Sequence, residues 1–189
     1  ILGSPIANRY HHDIEGLVGF FVNTLVLRNQ VDSNKSVKEL LNKISSDVLN
    51  AIDNQEVPFE QIVELLDVTR DTSRNPIVQV MFSLQSFGGD ASGESVLKLP
   101  GVNIKPYDNA SYDVAKFDLS LFMSEAGDKL AGSFNYCTDL FNKETIERIS
   151  RNFERLLSAI VENSSTKIKD LRLLTNERRK QILVDWNDT

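Results

Sequence analysis

The chain has 189 residues, with 21 lysines and arginines against 27 aspartates and glutamates, and a net charge of -6 at pH 7. This length suits one domain or one lobe of a larger protein, and an acidic chain without a long basic cluster argues against nucleic acid or an anionic membrane surface as the main partner. The single cysteine, Cys137, excludes an internal disulfide framework or a thiolate metal cluster, and we expect a reducing, cytoplasmic compartment.

The chain opens Ile1-Leu2-Gly3-Ser4-Pro5 without an initiator methionine or a basic stretch before an apolar one, which predicts an internal piece of a longer polypeptide. The longest apolar run is also much shorter than the roughly 20 residues of a membrane span.

Both histidines, His11 and His12, lie in a polar stretch that also holds Asp13 and Glu15. Such a cluster could bind a metal or transfer protons. However, adjacent side chains point in different directions on a helix or a strand, and no third ligand follows at a usual spacing. A solvated surface loop is therefore the favoured interpretation.

The longest apolar run, residues 17–28, is rich in Leu, Val and Phe and ends at Arg28. It predicts a strand buried on both faces. Asn23 and Thr24 interrupt it, and a buried amide must find hydrogen-bond partners. Asn23 is therefore either satisfied by neighbouring backbone or presented to a cleft, and the first alternative is the commoner one.

Two helices are predicted next. Ser36 and Glu39 form a capping box, and the apolar residues that follow recur at helical spacing up to Ile52. Pro58 suits the first turn of a second, shorter helix. Gln55 lies in the polar loop between the two helices.

Residues 69–76 then place two arginines, an aspartate and an amide in one loop. Arg70 and Arg74 could pair with Asp71 to brace it, and Pro76 forces Asn75 into an extended conformation. Residues 77–85 alternate as a strand does, with Val78, Val80, Phe82 and Leu84 on one face.

The rest of the chain predicts further strands and one long helix. Residues 86–95 form a Gly- and Ser-rich loop, 96–107 an interrupted strand, and 117–123 with 129–136 a hairpin. Asn142 can cap a long amphipathic helix, and Thr175 a short one in the tail. The order predicts an α/β sandwich whose mixed β-sheet is covered by helices.

Four segments, in this order, resemble the condensation domains of nonribosomal peptide synthetases. They are residues 18–24 (Val-Gly-Phe-Phe-Val-Asn-Thr), 54–60 (Asn-Gln-Glu-Val-Pro-Phe-Glu), 70–76 (Arg-Asp-Thr-Ser-Arg-Asn-Pro) and 174–178 (Leu-Thr-Asn-Glu-Arg) with Trp186-Asn187. The resemblance implies a chloramphenicol acetyltransferase-like fold of two lobes. Residues 1–165 would form the C-terminal lobe, and residues 166–189 a linker towards a downstream adenylation domain.

The same resemblance implies a function and its partners. Condensation domains join two acyl groups that carrier domains hold as phosphopantetheine thioesters, and the product is an amide. The partners would be the N-terminal lobe, the upstream and downstream carrier domains and the adenylation domain, and no cofactor would bind directly. The resemblance also implies that Asn23 and Asn75 line the substrate tunnel. The residues that it assigns to structural motifs are Arg70, Asp71, Arg74, Gln55 and Pro58.

No catalytic residue is assigned within the chain. The family signature, His-His-x-x-x-Asp-Gly, lies in the N-terminal lobe, and residues 11–16 resemble it but are one residue short. We therefore expect the isolated chain to be inactive. Two alternatives stay open: a non-catalytic lobe that docks carrier proteins in a degenerate synthetase, and an epimerisation-type variant of the same fold.

Overall fold

The computed structural model describes residues 1–9, 11–68, 71, 73–85, 114–126, 128–174 and 180–187. Its elements in chain order are β1 (Leu2–Ile6), α1 (His12–Glu15), β2 (Asn23–Leu27), α2 (Val37–Asp53), α3 (Phe59–Leu65), β3 (Val80–Gln85), β4 (Leu119–Ala126), β5 (Lys129–Tyr136) and α4 (Lys143–Glu162). A 3₁₀ turn (Ile168–Asp170) and a π-helical turn (Gln181–Asp185) follow.

The five strands form one mixed sheet in the order β2-β1-β3-β4-β5. β1 is parallel to β3 and β3 is parallel to β4, whereas both edge strands are antiparallel to their neighbours. The prediction of an α/β fold with a mixed sheet is confirmed. The predicted hairpin is also confirmed, although its turn is tighter than expected because β4 ends at Ala126 and β5 begins at Lys129.

The chain divides into two compact units. The first comprises Ile1–Arg28 with Ala51–Leu140 and holds the sheet, and the second comprises Asn29–Asn50 with Phe141–Thr189 and holds α4 and most of α2. Leu25, Val78 and Met81 are buried in the first unit, and Val37 and Ile146 in the second.

The predicted capping residues do what their sequence positions indicate. Ser36 Oγ accepts from Glu39 N at 3.3 Å, and Glu39 Oε2 accepts from Ser36 N at 2.8 Å, so the box at the start of α2 is reciprocal. Asn142 Oδ1 accepts from Thr145 N at 2.9 Å at the start of α4. Pro58 stands one residue before α3, as its N-cap, rather than within its first turn.

The prediction of one long strand, buried on both faces, over residues 17–28 is wrong. Only residues 23–27 form a strand, and the segment before it is irregular, with Val18 and Phe20 almost fully exposed. Hydrophobicity alone overstated the strand, because an apolar run can also form an exposed connection.

β1 was missed by the sequence analysis. It pairs antiparallel with β2 over five residue pairs, from Leu2↔Leu27 to Ile6↔Asn23. Gly3 and Pro5 conceal it, since both residues are depleted in strands. Gly3 fits closely here, because a Cβ at this position would clash with Met81 Sδ and lie 2.6 Å from Val78 Cγ1, so these side chains would have to move.

The strand predicted over residues 77–85 starts later, at Val80. Ile77 has a φ of 62°, and Val78 N donates to Pro76 O at 2.6 Å, so a three-residue turn precedes the strand. Of the predicted apolar set, only Val78, which precedes the strand, is buried. Within β3 the buried residues are Met81 and Ser83, which alternate with that set. The predicted loop 86–95, the predicted strand 96–107 and the Thr175 cap lie outside the described residues.

Candidate functional site

Asn23 stands at the start of β2, and its amide makes four hydrogen bonds. Nδ2 donates to Gln55 O at 3.0 Å and to Val57 O at 2.9 Å, and Oδ1 accepts from Phe59 N at 3.2 Å and Thr24 N at 2.8 Å. Backbone groups therefore satisfy this amide, and its place on a tunnel wall stays a prediction.

These bonds hold the connection between α2 and α3. The first backbone N–H groups of a helix need hydrogen-bond acceptors, and the side chain of the N-cap residue Pro58 provides none. Asn23 Oδ1, from β2, accepts the hydrogen bond of Phe59 N instead. Gln55 takes part through its carbonyl oxygen. One amide side chain therefore sets the position of residues 55–59 relative to the sheet.

Asp71 organises the second motif. Its Oδ1 accepts from Ser73 Oγ at 2.6 Å and from Ser73 N at 2.9 Å, and its Oδ2 accepts from Arg74 Nε at 2.8 Å. The hydrogen bonds from Ser73, and then the one from Arg74, lower the pKa of Asp71 from its usual 3.8 to about 2. Asp71 is thus ionised at any physiological pH and braces the turn; Arg70 lies outside the described residues.

Asn75 links this turn to the approach to β4. Its Nδ2 donates to Lys116 O at 2.6 Å, and its own carbonyl oxygen accepts from Gln79 Nε2 at 2.9 Å. β3 and β4 are parallel neighbours, so Asn75 ties together the two segments that enter them. In the described part of the chain, Asn23 and Asn75 belong to separate hydrogen-bond networks.

The histidine pair is exposed. The side chains of His11 and His12 are 70% and 92% accessible, and each lies beside one carboxylate, Asp13 at 3.6 Å and Glu15 at 3.4 Å. His12 begins a four-residue helix, so the predicted loop is partly helical. Among the residues with described positions, no group of three His, Cys, Asp or Glu could hold a metal ion.

Arg9 is an organising residue that the sequence analysis did not single out. Its guanidinium donates to the carbonyl oxygens of Ile14, Glu15 and Gly19 and lies 4.3 Å from the ring centroid of Phe21. It therefore fixes the connection between β1 and β2 that leads into Asn23. No local signal marks an arginine that binds carbonyl groups up to ten residues away.

A search of the described helices finds none that is long and apolar enough to cross a membrane.

Comparison with known proteins identifies the family. The Condensation domain family matches residues 1–183. Gramicidin S synthase 2 of Brevibacillus brevis is 40% identical over 190 residues, and tyrocidine synthase 3 of Brevibacillus parabrevis is 37% identical. Both alignments cover the whole chain but only 4% and 3% of those proteins, so the chain spans a small part of its curated relatives.

Solved structures show the same fold at lower identity. A four-domain nonribosomal peptide synthetase bound to AMP and glycine matches 94% of the chain with a TM-score of 0.78 and 23% identity, and the match covers 14% of that protein. The X-domain from teicoplanin biosynthesis matches 92% with a TM-score of 0.78 and 24% identity, over 39% of its length. The fold is thus the chloramphenicol acetyltransferase-like fold of these proteins, and the chain belongs to the condensation-domain family.

Proposed function

We propose that this chain is the C-terminal lobe of a condensation domain in a nonribosomal peptide synthetase. The family match over residues 1–183 carries this proposal. Two observations support the lobe assignment: the four motifs occur in their family order, and the chain covers 39% of the X-domain and 37% of the first condensation domain of the CDA synthetase.

The reaction would be amide formation between two carrier-bound acyl groups. The amine of the acceptor attacks the thioester carbonyl of the donor, the carbon–sulfur bond breaks, and the donor's carrier arm leaves as a thiol with the proton that the amine gives up. Holding both thioesters in one passage makes this step effectively intramolecular. The imidazole that handles the proton would come from the N-terminal lobe.

In this proposal the chain forms part of the wall of the substrate tunnel and holds that wall in place. Asn23 and Asn75 remain candidates for the tunnel wall, and the hydrogen bonds of both residues add a positioning role. The partners would be the N-terminal lobe, the carrier domains with their phosphopantetheine arms and an adenylation domain. The single cysteine still favours a cytoplasmic compartment.

One observation favours a second candidate function, a non-catalytic docking lobe. The X-domain of teicoplanin biosynthesis, which has been solved in a complex with OxyB, has a TM-score of 0.77 with this chain at 23% identity. The sequence of the N-terminal lobe that belongs with this chain would distinguish the two functions. An intact His-His-x-x-x-Asp-Gly signature predicts the enzyme, and its loss predicts the docking lobe.

The test is single-turnover amide formation by the complete domain with loaded donor and acceptor carrier domains. We expect product from the complete domain and none from this chain alone. Asn75→Ala should slow the reaction more than twofold, whereas Asn42→Ala, a change at an exposed position of α2, should not. Product from the isolated chain would contradict the lobe assignment, and a rate for Asn75→Ala within twofold of the wild type would remove Asn75 from the site.

A further inference from the structure

A concave groove lies on one face of the sheet, towards the turn of the β4–β5 hairpin. Its volume is about 270 Å³, and it is lined by Gln85, Phe122, Ser124, Ala131 and Ser133, together with Met123 and Gly132, which alternate with them along the strands. We call it the hairpin groove.

The strand register shows that its side chains share one face. Gln85 pairs with Ser124, Ser124 pairs with Ala131, and Phe122 pairs with Ser133. Paired residues lie side by side on the same face of a sheet. Two hydroxyl groups and one amide therefore surround a phenyl ring that is 45% exposed.

This face is more than a solvated sheet surface. Two residues further along β3 and β4, on the same face, Ser83 is 7% and Ser120 is 3% exposed. The face thus runs from an open groove to a buried region that also carries hydroxyl groups. The groove lies towards the carboxyl ends of the parallel strands β3 and β4, which is where open α/β sheets bind ligands.

Charge and size restrict the ligand. Among the described residues that line the groove there is no Lys, Arg, Asp or Glu, so these residues offer no counter-charge to a phosphate or a free carboxylate. The volume lies just below the roughly 300–1,000 Å³ of typical small-molecule sites. It therefore suits one amino-acid side chain rather than a whole carrier arm.

We propose that the hairpin groove receives the uncharged side chain of one of the two aminoacyl groups that the domain joins, and so helps to select that group. This inference rests on the proposed function. Phe122 supplies the apolar contact, and Ser124, Ser133 and Gln85 supply hydrogen bonds to a polar side chain.

The test fills the groove and measures substrate selection. In the complete domain, Ala131→Leu should lower the preference for leucyl over glycyl substrates by about tenfold or more, because the loss of room for a few methylene groups has an effect of that size. The rate with glycyl substrates should stay within twofold, which also shows that the variant folds. Leu130→Ala, on the opposite face of β5, should leave the preference unchanged.

Two arms identify the substrate concerned. One arm pairs a leucyl or glycyl donor with a glycyl acceptor, and the other pairs a glycyl donor with a leucyl or glycyl acceptor. A loss of preference in either arm supports the inference and assigns the groove to that substrate. An unchanged preference in both arms, or an equal loss of rate with both side chains, would overturn it, whereas amide formation by the wild-type domain would still support the proposed function.

A binding measurement separates failure of the inference from failure of the proposed function. The N-acetylcysteamine thioester of leucine, added to the complete domain, should shift the backbone amide resonances of Gly132 and Ser133, and Ala131→Leu should abolish the shift. This result would support the groove even in a domain that forms no amide. Absence of the shift in the wild-type domain would overturn the inference.

Discussion

The side chain of Asn23 makes the hydrogen bonds that residues of the α2–α3 connection do not make among themselves. The connection that ends at Pro58 offers no cap for α3, and the amide of Asn23 supplies it while also binding two carbonyl oxygens of the same connection. Its loss would leave half-buried polar groups without these partners, at a cost of about 1 kcal/mol. A polar residue in an apolar run can thus be required by the fold itself, whether or not it also faces a substrate.

The turn at Asp71 allows a prediction about pH. Because the folded-state pKa of Asp71 is lowered, its contribution to stability is complete above its usual, unfolded-state pKa of 3.8 and is lost as the pH falls through about 2. Ser73→Ala removes the hydrogen bond with the largest effect and should raise this pKa. Carboxyl NMR titration of wild type and variant measures the shift.

Arg74→Met is the matched control for this titration. The Arg74 hydrogen bond ranks below both bonds from Ser73 in its effect on Asp71, so its removal should raise the pKa less than Ser73→Ala does. A larger shift in Arg74→Met would show that the ion pair, rather than the serine, sets the ionisation of Asp71.

At this scale the sequence predicts contacts between near neighbours and misses contacts between distant residues. Ser36 with Glu39, and Asn142 with Thr145, are three residues apart and follow from local patterns. Three of the four partners of Asn23 lie 32 to 36 residues away, and Lys116 lies 41 residues from Asn75. Only the fold brings such groups together, so the sequence could name the amides but not their partners.

At the scale of elements, the end of α3 allows a stability prediction. Asp67 follows the C-cap Leu66 with a φ of 46°, and its N–H donates to Glu64 O. Glycine adopts this left-handed conformation without strain, and a carboxylate is unfavourable at a helix C-terminus. Asp67→Gly should therefore raise the free energy of unfolding by about 0.5–1 kcal/mol, measured by urea denaturation.

Leu66→Gly provides the control one residue earlier. Leu66 has a φ of -86° in the right-handed region, where glycine gains nothing and costs about 0.5–1 kcal/mol in conformational entropy. The two substitutions should thus have opposite signs. Stabilisation by Leu66→Gly, or destabilisation by Asp67→Gly, would contradict the assignment of Asp67 as the left-handed cap residue.

The elements that could be predicted have regular patterns, and the ones that could not have conflicting patterns. α2, α4 and the β4–β5 hairpin combine a clear period with a recognisable cap or turn. β1 carries Gly3 and Pro5, and residues 17–22 are apolar without forming a strand. In both cases tertiary contacts override the local preference: Gly3 fits against Met81, and the guanidinium of Arg9 binds the carbonyl group of Gly19.

At the scale of the whole molecule, the tail belongs to the second compact unit. Lys38 N and Val37 N donate to Ser164 O and Thr166 O at 2.8 and 3.0 Å. Ile168 N donates to Lys35 O at 2.9 Å. Residues 164–169 therefore run antiparallel to residues 33–38, with a bridge between Ser36 and Lys167. The linker was expected to begin at residue 166, but residues 166–169 are hydrogen-bonded to residues 33–37 of the second unit.

Truncation tests where the folded unit ends. A chain that stops at residue 165 lacks the acceptor for Val37 N, a residue that is only 1% exposed, and both donors to Lys35 O and Ser33 O. Its free energy of unfolding should fall by about 1–3 kcal/mol, the cost of leaving such groups unpaired. A chain that stops at residue 174 keeps every one of these hydrogen bonds and should match the full chain. Equal stability of the two truncated chains would instead place the domain boundary at residue 165, because the pairing would then contribute nothing to the fold.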